Sequence, residues 1–341
     1  MRSGRRGARV TTASSAPDRP VRIDVHLHEG ALATFADDVR SGLGSDPKAI
    51  PPKYFYDTRG SELFEQITAL PEYYPTRVEQ SILDAAGADI IDRVQPAELV
   101  ELGPGSARKT DALLRPMLER GCGRRYVPVD VSESAVETCA QRLVTEHEGL
   151  EIHGLVGDFE HHLDRIPPAR GRRLIAFLGG TIGNLDAPQR MRLLRALQAE
   201  LRPDDRLLVG TDLVKDRARL EAAYNDTAGV TAEFNRNLVR VINAHLGADL
   251  DPEAFEHVAF YNEREQRIEM WLRARAEMRA RIEVLGMEVG FSAGDQFRTE
   301  ISCKFTRERL EAEYRAAGLC LEMWRTDPDA LFALSLSGPR S

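Results

Sequence analysis

Between residues 98 and 213 the chain repeats one pattern: a short apolar run, an amphipathic stretch, then another apolar run at spacings near 25 residues. ELVELG (98–103), RRYVPVDVS (124–132), LEIHGLVGDF (150–159), RRLIAFLGG (172–180) and DRLLVGTDL (205–213) read as strands. Helical periodicity lies between them around Thr110–Glu119, Glu133–Glu146 and Pro188–Leu201. Alternation of this kind predicts a parallel, doubly wound α/β sheet with crossover helices. The middle of the fourth run is nearly all apolar, as a strand buried on both faces requires.

After Lys215 the alternation fails. Residues 216–246 read as two helices separated near Gly229, and 255–305 as the strand-like runs HVAFYN, RIEMWLRARAE, RIEVLGMEVGF and EISCKFT. A helix at 306–317 and the strand pair GLCLEMWRTD and LFALSLS return the chain to the first unit. Upstream, Thr76–Val94 has helical spacing, whereas 21–75 reads as irregular and rich in aromatics, with one short helix at Ser61–Leu70 capped by Ser61. The expectation is a nucleotide-type α/β domain of 76–215 plus 305–341. It is interrupted by an α+β substrate-binding domain of 21–75 plus 216–304. Residues 1–20 carry arginines without an apolar stretch and read as a disordered leader.

Composition narrows the function classes. A chain of 341 residues fits about two domains. The net charge of −8 offers no overall basic field for nucleic acid, and no apolar run approaches the ~18 residues of a membrane span. Cys122, Cys139, Cys303 and Cys320 lack metal-ligand spacing and read as free thiols of a reducing, cytoplasmic compartment. His26 with His28, and His161 with His162, have no convergent partners, so no metal is expected. Only five of the 46 basic residues are lysines: Lys48, Lys53, Lys109, Lys215 and Lys304.

The strand ends carry the chemistry. The first ends Glu101-Leu102-Gly103-Pro104-Gly105-Ser106, where glycines permit a sharp turn and close backbone approach to a ligand. Ala107 and Arg108 stand where a dinucleotide fingerprint would place its third glycine. The second strand ends at Asp130, positioned to accept from ribose hydroxyls, and the third at Asp158-Phe159, suited to an adenine amino group and ring. Acids at three successive strand ends, with glycines at the first, indicate S-adenosylmethionine (SAM) as cofactor rather than a nicotinamide dinucleotide. Lys109, just past the turn, reads either as a solvated cation or as a contact to the cofactor's methionine carboxylate.

VELGPGSARKT, VPVDVS, GDF, FLGGTIGN, the upstream PPKYFYDTRGSELFEQITALPEYYPTR and the late FRTEISCKFT together resemble the histidine-specific Nα-methyltransferases of ergothioneine biosynthesis. The resemblance runs from about Val21 to Ser337. It implies a class I SAM-dependent methyltransferase fold and conversion of L-histidine to hercynine, its Nα-trimethyl form. Gly103, Gly105, Lys109, Asp130, Asp158 and Phe159 are then expected at the cofactor, and Tyr56 and Tyr73 in the amino-acid pocket. Asn184 and Tyr224 are expected at the substrate's carboxylate and amino end. Glu300 and Ser302 would read the imidazole, against an apolar wall of Met270 and Phe64.

Those residue types suit the reaction. Methyl transfer from a sulfonium is an in-line displacement, so proximity and orientation supply most of the acceleration. The amine must be neutral, and uncharged Tyr56 and Asn184, the residues expected at the reacting centre, favour that form better than a carboxylate would. Aromatic faces tolerate three added methyls and attract the final cation. Of the cluster Tyr54, Phe55, Tyr56, Phe64, Tyr73 and Tyr74, about half are expected to form core. On a strand Glu300 and Ser302 share one side; a carboxylate accepts from the ring N–H while a hydroxyl donates to the other nitrogen. The expected enzyme is a monomer acting on free L-histidine, without nucleic-acid or membrane partners. The competing readings are a methyltransferase for another small amine or amino acid, and a SAM-binding protein without catalysis.

Overall fold

The computed structural model describes residues 20–27 and 31–340; the expected leader up to residue 19, and His28, lie outside the described residues. The chain begins with β1 (Val21–Val25), α1 (Ala31–Gly44), α2 (Thr58–Ala69) and α3 (Pro75–Val94). The α/β stretch is β2 (Glu98–Leu102), α4 (Asp111–Glu119), β3 (Arg125–Asp130), α5 (Glu133–Glu146), β4 (Glu151–Val156), β5 (Arg173–Phe177), α6 (Ala187–Glu200) and β6 (Arg206–Asp212). Helices α7 (Arg217–Tyr224) and α8 (Val230–Leu246) follow. Next come β7 (Phe255–Asn262), β8 (Arg267–Ala274), β9 (Met278–Ile282), β10 (Met287–Phe291) and β11 (Gln296–Cys303). The chain closes with α9 (Arg307–Ala316), β12 (Leu319–Thr326) and β13 (Phe332–Pro339).

The large sheet has the order β1-β4-β3-β2-β5-β6-β13-β12. Its first six strands run parallel, and β13 lies antiparallel to β6 and β12. This is the class I methyltransferase sheet expected from the sequence, extended at one edge by β1. Strand order reverses between β2 and β5, and in open α/β sheets ligands bind beyond the carboxyl ends of the strands at such a switch. Every residue of β2 and β5 is buried. Buried Glu98 at the start of β2 stands between Arg125 of β3 (2.9 Å) and Arg173 of β5 (2.6 Å), so the central strands are pinned by paired charges at the end away from that switch.

A second lobe packs over the carboxyl ends of the large sheet. Its core joins Phe35, Val39, Leu43, Phe55, Leu63 and Ile67 to residues of 220–297, among them Phe234, Phe255, Phe291 and Phe297. It holds the three-stranded sheet β11-β8-β7 and the hairpin β9–β10. Two further cores involve residues from both halves of the large sheet.

Four local expectations need correction. Val21–Val25, placed with the substrate-binding segment, pairs instead with β4 (Val21 opposite Ile152) and extends the large sheet. The stretch read as irregular contains α1, whose Phe35, Val39 and Leu43 recur every fourth residue and bury one face. Helix α2 starts earlier than Ser61: the Asp57 side chain accepts from Gly60 N at 2.7 Å and caps it. RIEVLGMEVGF turns at Gly286, φ +58°, and makes a hairpin rather than one run.

Candidate active site

Beyond β2, Gly103 (φ +64°) and Gly105 (φ +53°) adopt left-handed backbone with open space where a Cβ would stand. The strain, not crowding, demands glycine here, and the bare backbone borders a cavity of about 1400 Å³. Asp130 stitches the neighbouring loops together: one carboxylate oxygen accepts from Gly105 N at 3.2 Å, the other from Ser132 N at 3.0 Å. Burial pushes its pKa up, against those backbone hydrogen bonds. Asp158 accepts from Glu160 N (2.9 Å) in a local turn and also pairs with Lys53 Nζ at 3.3 Å. Lys53 lies 3.4 Å from Asp38 as well, so it ties the second lobe to the loop beyond the carboxyl end of β4. Phe159 packs at an angle on Phe177, with centroids 5.1 Å apart.

Lys109 is ion-paired with Glu79 of α3. Glu79 is fully buried and both its oxygens accept from Gly179 N at 2.9 Å, so it joins the loops after β2 and β5 across the switch point. Glu79 was missed in the sequence. Its signal was available: it falls on the stripe of Ile82, Leu83, Ala86 and Ile90, where a lone carboxylate demands a partner.

The other end of the cavity belongs to the second lobe. Tyr56, Phe64, Tyr73 and Tyr224 form a succession of edge-on rings with centroid spacings of 5.6, 6.2 and 6.1 Å. Burial pushes the phenols of Tyr56 and Tyr73 upward, so both are neutral. Of the aromatic cluster these two and Phe64 line the cavity, whereas Tyr54, Phe55 and Tyr74 face elsewhere: Phe55 stacks on Phe234, Tyr54 bonds Asp38 and Tyr74 bonds Asp212.

A β-bulge in β11 at Thr299 shifts the register so that Glu300 lies opposite Met270. Thr299 turns its hydroxyl to Met270 O (3.1 Å), while Glu300, Ser302 and Met270 line the cavity. Gly183 makes the next contact possible: a Cβ there would lie 2.9 Å from Cys303 O. This close approach brings Asn184 into hydrogen bonding with Glu300. Burial pushes Glu300 up to about 7, opposed by the positive charge of Lys304 and the bond from Asn184. Asn184 and Tyr224, expected at the amino and carboxylate end, both flank the Glu300–Ser302 pair; Tyr224 donates to Ser302 Oγ at 2.8 Å.

The structure brings every residue nominated from the sequence to this one cavity: Gly103, Gly105, Lys109, Asp130, Asp158 and Phe159 at one end, Tyr56, Phe64, Tyr73, Asn184, Tyr224, Met270, Glu300 and Ser302 at the other. Sequence reasoning missed the charged layer beneath them. Asp212, at the end of β6, pairs with buried Lys304 (2.8 Å) and with Lys215, and accepts from Tyr74 OH at 2.8 Å. Burial would raise Asp212, but Lys304 and Lys215 hold it below the usual range. Burial pulls Lys215 down to about 8 against the attraction of Asp212. Lysine scarcity was the usable signal, since Lys53 and Lys109 border the cavity and Lys215 and Lys304 hold Asp212. Among the described residues no cluster of His, Cys, Asp and Glu is arranged for a metal ion.

Residues 35–339 match a family described as histidine-specific, SAM-dependent methyltransferases. The histidine N-alpha-methyltransferase of Mycobacterium tuberculosis is 51% identical over 320 residues, covering 93% of this chain and 99% of that protein. Its Mycolicibacterium smegmatis counterpart is 50% identical over 309 residues, covering 91% and 96%. Ergothioneine biosynthesis protein 1 of Neurospora crassa is 30% identical over 320 residues, 88% of this chain but 34% of the fungal protein. A match of this length, spanning both lobes and the strands that border the cavity, makes the chain a member of the SAM-dependent, histidine-specific methyltransferase family.

Proposed function

We propose that this chain transfers three methyl groups in turn to the α-amino nitrogen of L-histidine, yielding hercynine, the first step of ergothioneine biosynthesis. The observation that carries the reading is the shared cavity. A glycine-and-carboxylate cradle at the switch point opens onto the same space as Glu300 and Ser302, with aromatic walls between. The cradle fits SAM: bare backbone at Gly103 and Gly105 admits close approach, and Asp130 and Asp158 offer acceptors to hydroxyls and an amino group. When bound, SAM supplies the electrophilic methyl.

The chain's own work is placement. Glu300, ionised, accepts from the imidazole N–H and Ser302 donates to the second ring nitrogen, while Met270 and Phe64 close on the ring's faces. Neutral Tyr56 and the remaining amide groups of Asn184 receive the amine without favouring its ammonium form. Lys109, steadied by Glu79, would hold the cofactor's methionine carboxylate. Holding amine and methyl in line contributes up to ~7–11 kcal/mol of the barrier reduction. The tyrosine faces attract the growing cation by ~0.5–2 kcal/mol. We place this chemistry in a cytoplasmic monomer, acting on a small molecule and not on nucleic acid or membranes. Its substrate-binding unit comprises the second lobe and the cofactor unit the large sheet. No helix among the described residues is long and apolar enough to cross a membrane.

The test is methyl transfer from SAM to each of the twenty amino acids, read by mass. Histidine should gain three methyls and the others little; equal turnover of phenylalanine would refute ring reading by Glu300 and Ser302.

A further inference from the structure

Strand β11 and its continuation carry Glu300, Ser302 and Lys304 at alternate positions, hence on one side. The first two border the cavity; Lys304 lies behind them and is fully buried. Its ammonium has three N–H donors and no acceptor. All three are engaged: Asp212 Oδ2 at 2.8 Å, Ser302 Oγ at 2.8 Å and Tyr224 OH at 3.2 Å. Asp212 is itself held by Lys215 and by Tyr74 OH at 2.8 Å, so the ammonium has little freedom to turn.

This arrangement decides which way Ser302 points its proton. A serine hydroxyl has one O–H and two lone pairs. Lys304 fills one lone pair and the Tyr224 phenol, donating at 2.8 Å, fills the other. Neither neighbour is free to receive the Ser302 hydrogen: Lys304 has no lone pair, and Tyr224 already accepts from Lys304 while giving its own proton to Ser302. The remaining direction is the cavity. Ser302 becomes a dedicated donor beside Glu300, which in its ionised form is only an acceptor.

We propose that Lys304, anchored by Asp212, is a positioning residue that fixes Ser302 as a one-way donor and thereby selects an aromatic ring presenting a bare nitrogen there and an N–H to Glu300. This rests on the histidine reading above and assigns its selectivity to a residue outside the cavity wall. A ring with carbon or N–H at that point leaves the Ser302 donor unpaired or facing another donor, the costly arrangement for a buried group.

The experiment is a double-mutant cycle of Lys304→Met with Ser302→Ala, reading histidine KM, kcat, SAM affinity by titration, and the histidine-to-phenylalanine ratio of kcat/KM. Lys304→Met should raise histidine KM by about tenfold or more and lower the ratio by a similar factor, with SAM affinity within about threefold of the parent. In the Ser302→Ala background Lys304→Met should add almost nothing, because the group it orients is gone. If Lys304→Met does not fold, the cycle is run with Lys304→Gln, a neutral chain that both donates and accepts. Additive effects of the two changes, or a fall in SAM affinity as large as the rise in KM, overturn the proposal while histidine selectivity in the parent stands. A parent without histidine selectivity brings down the functional reading and this inference with it.

Discussion

Replacing Glu300 by glutamine should make the protein more stable and a poorer binder of histidine, and the stability gain should grow with pH. Burial pushes this carboxyl from 4.5 up to about 7 in the folded chain, even with Lys304 and Asn184 working the other way. An acid with a raised folded pKa keeps its proton on folding while the unfolded chain has lost it. Glu300 therefore costs nothing below about 4.5, costs progressively more between 4.5 and 7, and reaches its full cost above 7. The difference corresponds to about 3 kcal/mol at pH 8 and under about 1 kcal/mol at pH 5. Glutamine has nearly the shape of the protonated acid and does not titrate. Urea unfolding of parent and Glu300→Gln at pH 5 and pH 8, without ligand, should show a gap that widens by about 2–3 kcal/mol toward pH 8. Histidine affinity should drop by about tenfold, since a charge-assisted acceptor becomes a neutral one. A gap independent of pH, or a variant less stable than the parent at pH 8, would refute the claim that burial of the Glu300 carboxylate outweighs the support from Lys304 and Asn184.

Two other substitutions separate cofactor, substrate and scaffold. Asp130→Ala should weaken SAM binding by about 10–100-fold, the worth of a charged hydrogen-bond acceptor, and calorimetric titration showing unchanged affinity would remove Asp130 from the ribose. Glu98→Ala strands Arg125 and Arg173 in the interior and should cost about 3–5 kcal/mol in denaturant unfolding; it lies at the opposite end of the strands from the cavity, so SAM affinity of the folded fraction should stay unchanged.

Much of this architecture was legible because its signals are local. The five strands of the α/β stretch and the helices between them follow from periodicity, and their ends bear the acids and glycines proposed to cradle the cofactor. Residues whose role depends on a distant partner were harder to see. Asp212 ends β6 as Asp130 ends β3, yet its meaning comes from Lys304, which sequence separation hides. Glu79 and Gly179 meet only because α3 crosses the switch point. The strand β1 gives a weak signal because an edge strand is half exposed, and its alternation is too short to stand out. Asn184 shows a further limit: its residue type suited the amine, but the close approach that sets it against Glu300 depends on Gly183 meeting the backbone of Cys303.

Three successive methylations pose a problem of reference. A neutral amine begins with two N–H donors and ends with none, so hydrogen bonds to the nitrogen cannot hold the substrate at constant depth through all three transfers. The fixed point must be the ring. Strand β11 supplies one because it passes from one core into another: Phe297 belongs to the second lobe, while Ile301, Cys303 and the following Phe305 pack into a core of the large sheet. Backbone bonds from Phe305 N to Asp212 O (2.9 Å) and from Val214 N to Phe305 O (3.0 Å) then tie the strand to the end of β6. Main-chain geometry thus sets Glu300 and Ser302 relative to the strands of the large sheet, alongside the side-chain contacts through Lys304 and Asp212. On the proposed reading, an imidazole anchored there would let the nitrogen exchange hydrogen bonds for aromatic contact at Tyr56 and Tyr73 without changing its line to the methyl donor.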